Sequence, residues 1–172
     1  NIFSRPQRFH RESSLLLSLF YTFTGELDKA LAYAQEGIEV GQRFHSVFIR
    51  SVAYMRLGHA LQLRRRFDID HSEMEQIRSY YDEAINSVDI ARIHVEPLWG
   101  LCRLLGFSGR LTEAREIGER ALSIAHSAGD QWIGVLVRIS LGASMALAGK
   151  FESASQELTI AESTAAKVGD NL

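Results

Sequence analysis

Any chemistry done by this chain would have to come from its histidines, its one cysteine, an acidic run or a basic run. The six histidines are His10, His45, His59, His71, His94 and His126. They form neither a His-x-x-x-His nor a His-Glu-x-x-His spacing, the patterns that set two imidazoles on one helical face around zinc. The densest group of ligand-type side chains is Asp68-x-Asp70-His71-x-Glu73-x-Glu75. A calcium loop needs a glycine at its sixth position and an acid at its twelfth. Counted from Asp68, those positions hold Glu73 and Ser79, so the segment is expected to be a solvated acidic loop. Arg64, Arg65 and Arg66 are adjacent and point around a helix end. They are read first as a basic C-terminus complementing the helix dipole, and second as a phosphate or nucleic-acid contact. Cys102 lies in the apolar stretch Leu98 to Leu105, where a thiol is a small hydrophobe; a nucleophile would need a base that the sequence does not name. There is no Gly-x-Ser-x-Gly elbow. The expectation is a non-enzyme with no cofactor and no metal.

The elements that would position these residues are helices. Of 172 residues, 46% are apolar and 23% charged, with a formal net charge of -2. That composition fits one soluble globular domain and gives no basic field toward nucleic acid or anionic lipid. No apolar run reaches the roughly 18 residues of a membrane span. No targeting signal is read, and the expected location is the cytoplasm. Because the chain starts at Asn1 and stops just after a helical stretch, it is expected to be a segment of a larger protein. The only prolines, Pro6 and Pro97, leave 90 residues between them without a residue that costs a helix about 3 kcal/mol. Apolar residues recur at helical spacing, as in Leu111, Ala114, Ile117, Ala121, Ile124 and Ala125. Glycines at 25, 41, 109, 129, 149 and 169 punctuate the pattern as helix ends do.

That punctuation is an internal repeat. Gly109, Ala114 and Ala121 align with Gly149, Ala154 and Ala161 at an offset of 40 residues. Gly25, Ala30 and Gly37 fit the same frame, and Tyr80-Tyr81-Asp82-Glu83-Ala84 followed by Ala91 gives a degenerate copy. The glycine permits a left-handed turn between two helices, and the small residues let those helices approach closely. One helix pair cannot cover its own apolar face, so the copies must stack.

The pattern resembles the tetratricopeptide repeat family. Leu141-Gly142 and Leu57-Gly58 fall on its Leu-Gly pair, Gly149 and Phe151 on its Gly-x-Tyr/Phe step, and Ala154 and Ala161 on its two alanine positions. The longer period, the Gly-Asp ends and the run Pro97-Leu-Trp-Gly-Leu-Cys-Arg-Leu-Leu-Gly-Phe-Ser-Gly109 are similar to the repeat segments of large ATP-binding bacterial regulators of the LuxR type. The resemblance implies an all-α, right-handed solenoid of about four antiparallel helical hairpins. Its copies would span about 9–42, 45–94 with an insertion at 66–77, 97–128 and 131–169. Pro97 would open the third copy as a first-turn residue.

With the Leu-Gly pair as a ruler, the inner helices would line a concave groove with Glu12, Thr22 and Phe23 in copy one and Met55, His59 and Gln62 in copy two. Copy three would contribute Glu96, Trp99, Arg103 and Phe107, and copy four Ile139, Ala143, Ala146 and Leu147. Trp99 and Phe107 can be read either as groove residues or as packing between repeats. The expected function is a non-catalytic interaction or sensor module binding a protein, a peptide or a small effector in that groove, within a bacterial transcription regulator or signalling ATPase. The alternative is a passive protein scaffold. Neither direct nucleic-acid contact nor membrane binding is expected. The apolar face of copy four, if exposed, would favour self-association.

Overall fold

The computed structural model describes residues 8–65 and 69–169. Among them the chain is all α, with eight helices and no strand. They are α1 (Arg8–Thr24), α2 (Leu27–Arg43), α3 (Val47–Arg65), α4 (His71–Asn86), α5 (Ala91–Phe107), α6 (Leu111–Ala128), α7 (Gln131–Leu147) and α8 (Phe151–Gly169). Contacts group them into two compact units, Asn1–Asp89 and Ile90–Leu172. In the first, each helix packs on the next, and α1 also meets α3; in the second, each packs on the next, and α5 also meets α7.

Four of the expected turn glycines, Gly25, Gly109, Gly129 and Gly149, have φ between 71° and 79°. That is the left-handed region in which a side chain is strained. Two do not fit the expectation. Gly41 is buried inside α2, where an added Cβ would stand 2.8 Å from the Arg50 backbone nitrogen; it serves close approach, and His45 takes the positive φ of that turn. Gly169 ends α8 without a positive φ.

The first unit closes around Leu15, Ala34, Ile38, Ile49, Ala53 and Leu57. Two buried serines tie its helix pairs together. Ser18 Oγ donates to the Ala30 carbonyl at 2.9 Å and Ser51 Oγ to the Ala84 carbonyl at 2.7 Å. Both acceptors are alanines of the repeat frame, whose small side chains let the serine reach the backbone. The second unit buries Leu98, Leu104, Leu105, Val137 and Leu141.

Three glycines show how closely the helices approach. A Cβ on Gly58 of α3 would lie 2.8 Å from the Tyr81 ring of α4, and one on Gly142 of α7 2.8 Å from Leu158 Cγ of α8. One on Gly118 of α6 would lie 3.1 Å from Cys102 Sγ of α5. In each pair one helix gives up its side chain and the other fills the space. Between α5 and α7, a Cβ on Gly106 would overlap Ser144.

Two element boundaries correct the sequence reading. The segment 66–77, taken as an insertion carrying an acidic loop, contains the start of α4. Asp70 Oδ1 accepts from the Glu73 backbone N–H at 2.8 Å while the Glu73 carboxylate reaches back to the Asp70 N–H, a reciprocal capping box. Glu73 also pairs with Arg65 at the end of α3. Asp68 and Arg66 lie outside the described residues. In turn α4 ends at Asn86, so Ala91, assigned to the degenerate copy, belongs to α5. Pro97 does not open that helix: α5 starts six residues earlier, at Ala91, and Pro97 is buried inside it. A proline has no N–H for the carbonyl four residues back, yet α5 continues through it to Phe107.

Replacing Asp70 with Ala removes the acceptor for the Glu73 N–H. Urea unfolding should show the first unit less stable by about 0.5–2 kcal/mol, with Asp70→Asn losing less than Asp70→Ala.

Candidate functional site

Spacing along α5 sets Glu96, Trp99, Arg103 and Phe107 on one face of the helix, and all four are half-buried. The opposite face carries Leu98, Leu101, Cys102 and Leu105 into the core. Trp99 is fixed at both ends of its indole. Its Nε1–H donates to Ser140 Oγ of α7 at 2.9 Å, and Ser140 in turn donates to the Leu136 carbonyl at 3.0 Å. The Arg103 guanidinium lies over the Trp99 ring, 4.9 Å from its centroid, where the electron-rich face attracts a cation. Trp99 therefore packs α5 onto α7, one of the two readings weighed for it, and is only half-buried beside Arg103. On α7, Ile139 and Leu147 are exposed and Ala143 and Ala146 half-buried.

The residues assigned to the groove in copy two are placed differently. Met55, His59 and Gln62 are buried, at 5%, 5% and 4% exposure. Tyr81 of α4 reaches over Gly58 into their midst. Its hydroxyl donates to Gln62 Oε1 at 3.2 Å and stands 3.1 Å from His59 Nδ1. A phenol has one hydrogen, and with that hydrogen given to Gln62 the His59 Nδ1–H is the donor to Tyr81. The three form a buried polar cluster that fixes α4 on α3, not an open lining. Phe23 at the end of α1 is 81% exposed, while Thr22 turns its hydroxyl to the Ser18 carbonyl at 2.7 Å.

The sequence reading missed Tyr81, Ser140 and Ser144 as positioning residues. Tyr81 carried a usable signal, since it falls three residues before a frame alanine and opposite a glycine of the Leu-Gly pair. The serines carried none, because their role depends on which residue α5 presents to them.

The other chemical candidates are committed to structure. Arg64 and Arg65 end α3, the first near Asp28 at 3.3 Å and the second paired with Glu73. Among the described residues, no group of three or more His, Cys, Asp or Glu side chains is placed to hold a metal ion, and no helix is long and apolar enough to cross a membrane. A shallow cleft of about 360 Å³ on the second unit is lined by α6, α7 and α8, with His126, Asp130, Arg138 and Lys167 at its rim. Two of its charged groups are engaged: Asp130 caps α7 by accepting from the Ile133 N–H at 3.3 Å, and Arg138 pairs with Glu157 at 2.7 Å.

No protein-family model matches this chain, and no curated protein matches it. Among solved structures it is similar to the crystal structure of BtubC (BKLC) from P. vanneervenii, with a TM-score of 0.72 at 20% identity, over 97% of this chain and 67% of that one. At that identity the likeness concerns the fold alone.

Burial pushes the Cys102 thiol from its ordinary 9.0 up to about 12, because the thiolate would lose its hydration against Gly118 and the core. A thiol-specific reagent at neutral pH should leave folded protein unlabelled and label it on unfolding. The unfolded chain loses the thiol proton near pH 9.0 and the folded chain only near 12. Stability is therefore undiminished below pH 9 and falls as pH rises from there, by about 1.4 kcal/mol per unit at most. The Cys102→Ala variant should lack that part of the slope in unfolding measured from pH 8 to 11.

Proposed function

We propose that this chain is a non-catalytic interaction module whose helix pairs form a right-handed, tetratricopeptide-like solenoid, and that the α5 face of Glu96, Trp99, Arg103 and Phe107 is where it holds a protein or peptide segment. The observation that carries this reading is the Trp99–Arg103 plate, 4.9 Å from cation to ring centroid and anchored to α7 through Ser140. Trp and Arg are the side chains most enriched where binding energy concentrates. A plate already held in place loses little conformational freedom when it binds. Arg103 brings a cation with five N–H donors to this face, while Trp99 and Phe107 bring apolar surface beside it. The favoured ligand is thus an apolar segment carrying an acidic residue; a small carboxylate effector would use the same groups.

The resemblance to the repeat segments of LuxR-type regulators supports a regulatory setting in a bacterial transcription regulator or signalling ATPase. The exposure of Phe23 and Trp132, at 81% and 56%, favours the second reading, a scaffold that only brings proteins together.

Peptides selected on the wild-type chain from a random-sequence display library supply the probe. They should be enriched in an acidic residue next to apolar ones. Arg103→Glu should weaken them at least about tenfold, or about 1.4 kcal/mol, with an unchanged thermal melt. Peptides that bind Arg103→Glu as tightly as wild type would refute the site.

A further inference from the structure

Close helix packing accounts for Gly37, Gly41, Gly58, Gly106, Gly118 and Gly142. An added Cβ on each would come within 3.0 Å of an atom of another helix. It does not account for Gly134 of α7. There the nearest atom to an added Cβ is Leu122 Cδ2 of α6, at 3.9 Å, an ordinary contact. Glycine disfavours a helix more than any residue except proline, so its place inside α7 calls for another reason. The cleft of about 360 Å³ between α6, α7 and α8 supplies one, because Gly134 lines it. A bare backbone at that point keeps the floor open and lets a ligand come close to the main chain. The volume lies at the small end of the range that ligand sites occupy.

The rest of the lining is part apolar and part cationic. Leu122 of α6 and Ile160 of α8 bring apolar surface. Arg138 follows Gly134 by four residues, so the two share a face of α7. A guanidinium has five N–H donors. Arg138 gives one to Glu157 at 2.7 Å, and the others have no acceptor among the described residues. Its side chain is 28% exposed, so solvent screens its charge less than that of a fully exposed side chain. The charges lining the cleft are Arg138 and Lys167 against Asp130, and the Asp130 carboxylate already accepts the Ile133 N–H. That balance favours an anion. We propose that the cleft binds a small organic anion, with its carboxylate or phosphate group on Arg138 and its apolar body over Gly134, between Leu122 and Ile160. The site is independent of the peptide-binding reading, because Trp99 and Arg103 take no part in it.

Amide-resolved NMR of the isotope-labelled whole chain tests the site, with benzoate and phenyl phosphate as probes and benzyl alcohol as the neutral control. At least one anion should shift the amides of residues 131–138 and 160–167, and benzyl alcohol should not. Benzoate acting alone marks a carboxylate site, and phenyl phosphate acting alone a phosphate site. Gly134→Ala should weaken binding while raising the melting temperature, since alanine favours the helix. Gly134→Leu fills the floor and should abolish the shifts. Arg138→Gln combined with Glu157→Gln removes both charges without stranding either, and should weaken the anion at least about tenfold. Circular dichroism checks that each variant is folded; should Gly134→Leu not fold, the Arg138 variant decides alone. No shift with either anion, an equal response to benzyl alcohol, or shifts confined to α5 would overturn the proposal. So would binding undiminished in a folded Gly134→Leu or in the Arg138 variant.

Discussion

Helices in both units approach one another through side chains of reciprocal size, and the rest of the structure depends on that constraint. Gly58 yields to Tyr81, Gly142 to Leu158 and Gly118 to Cys102. In each pair the backbone of one helix comes near enough to the other that a second side chain has no room. Well-packed interiors tolerate neither a void nor an overlap, so changing one member of such a pair obliges its partner to change. The buried serines work at the same short range: Ser18 and Ser51 reach the carbonyls of Ala30 and Ala84 because those alanines leave the path open.

This packing also commits several polar and titratable side chains of the described residues to structure. Cys102 is sealed against Gly118, and His59 and Gln62 meet the Tyr81 hydroxyl inside the first unit. The acids Asp70 and Glu73 start a helix. The surface carries many charged side chains, such as Glu36, Glu39, Arg43, Arg115 and Arg120, with exposed apolar or aromatic ones, Phe20, Phe23 and Trp132 among them, set between. The face of α5 differs from ordinary exposed apolar surface because Ser140 and Arg103 hold the Trp99 indole from two sides.

Much of the fold was legible because particular backbone and packing demands admit few residue types. A left-handed turn asks for glycine, and Gly25, Gly109, Gly129 and Gly149 meet that demand. A close crossing asks for a small residue, and Ala30, Ala84, Ala114 and Ala154 are all buried on their helices. Errors arose where one sequence serves two physical ends. Asp70-x-x-Glu73 has the residue types of a cation loop and of a capping box, and only the apolar positions Met74 and Ile77, both buried, show that a helix follows. Pro97 suits a first turn, yet Val95 and Leu98 on either side belong to the same core. On α5 helical spacing puts Glu96, Trp99, Arg103 and Phe107 on one half-buried face. It could not show that Tyr81, arriving from another helix, closes over His59 and Gln62. The register tells which way a side chain leaves its own helix and nothing about what the neighbouring helix brings to meet it.

If helix spacing at the crossings is set by reciprocal side-chain size, the Gly58–Tyr81 pair gives the most direct measurement, a double-mutant cycle read by denaturant unfolding. In the wild-type background Gly58→Ala should destabilise by about 1–3 kcal/mol, because its Cβ drives the ring from its hydrogen bonds. With Tyr81 replaced by Leu, the same change should cost nothing or stabilise by up to about 1 kcal/mol, the helical preference of alanine over glycine. An equal cost in both backgrounds would contradict reciprocal packing as the organising constraint.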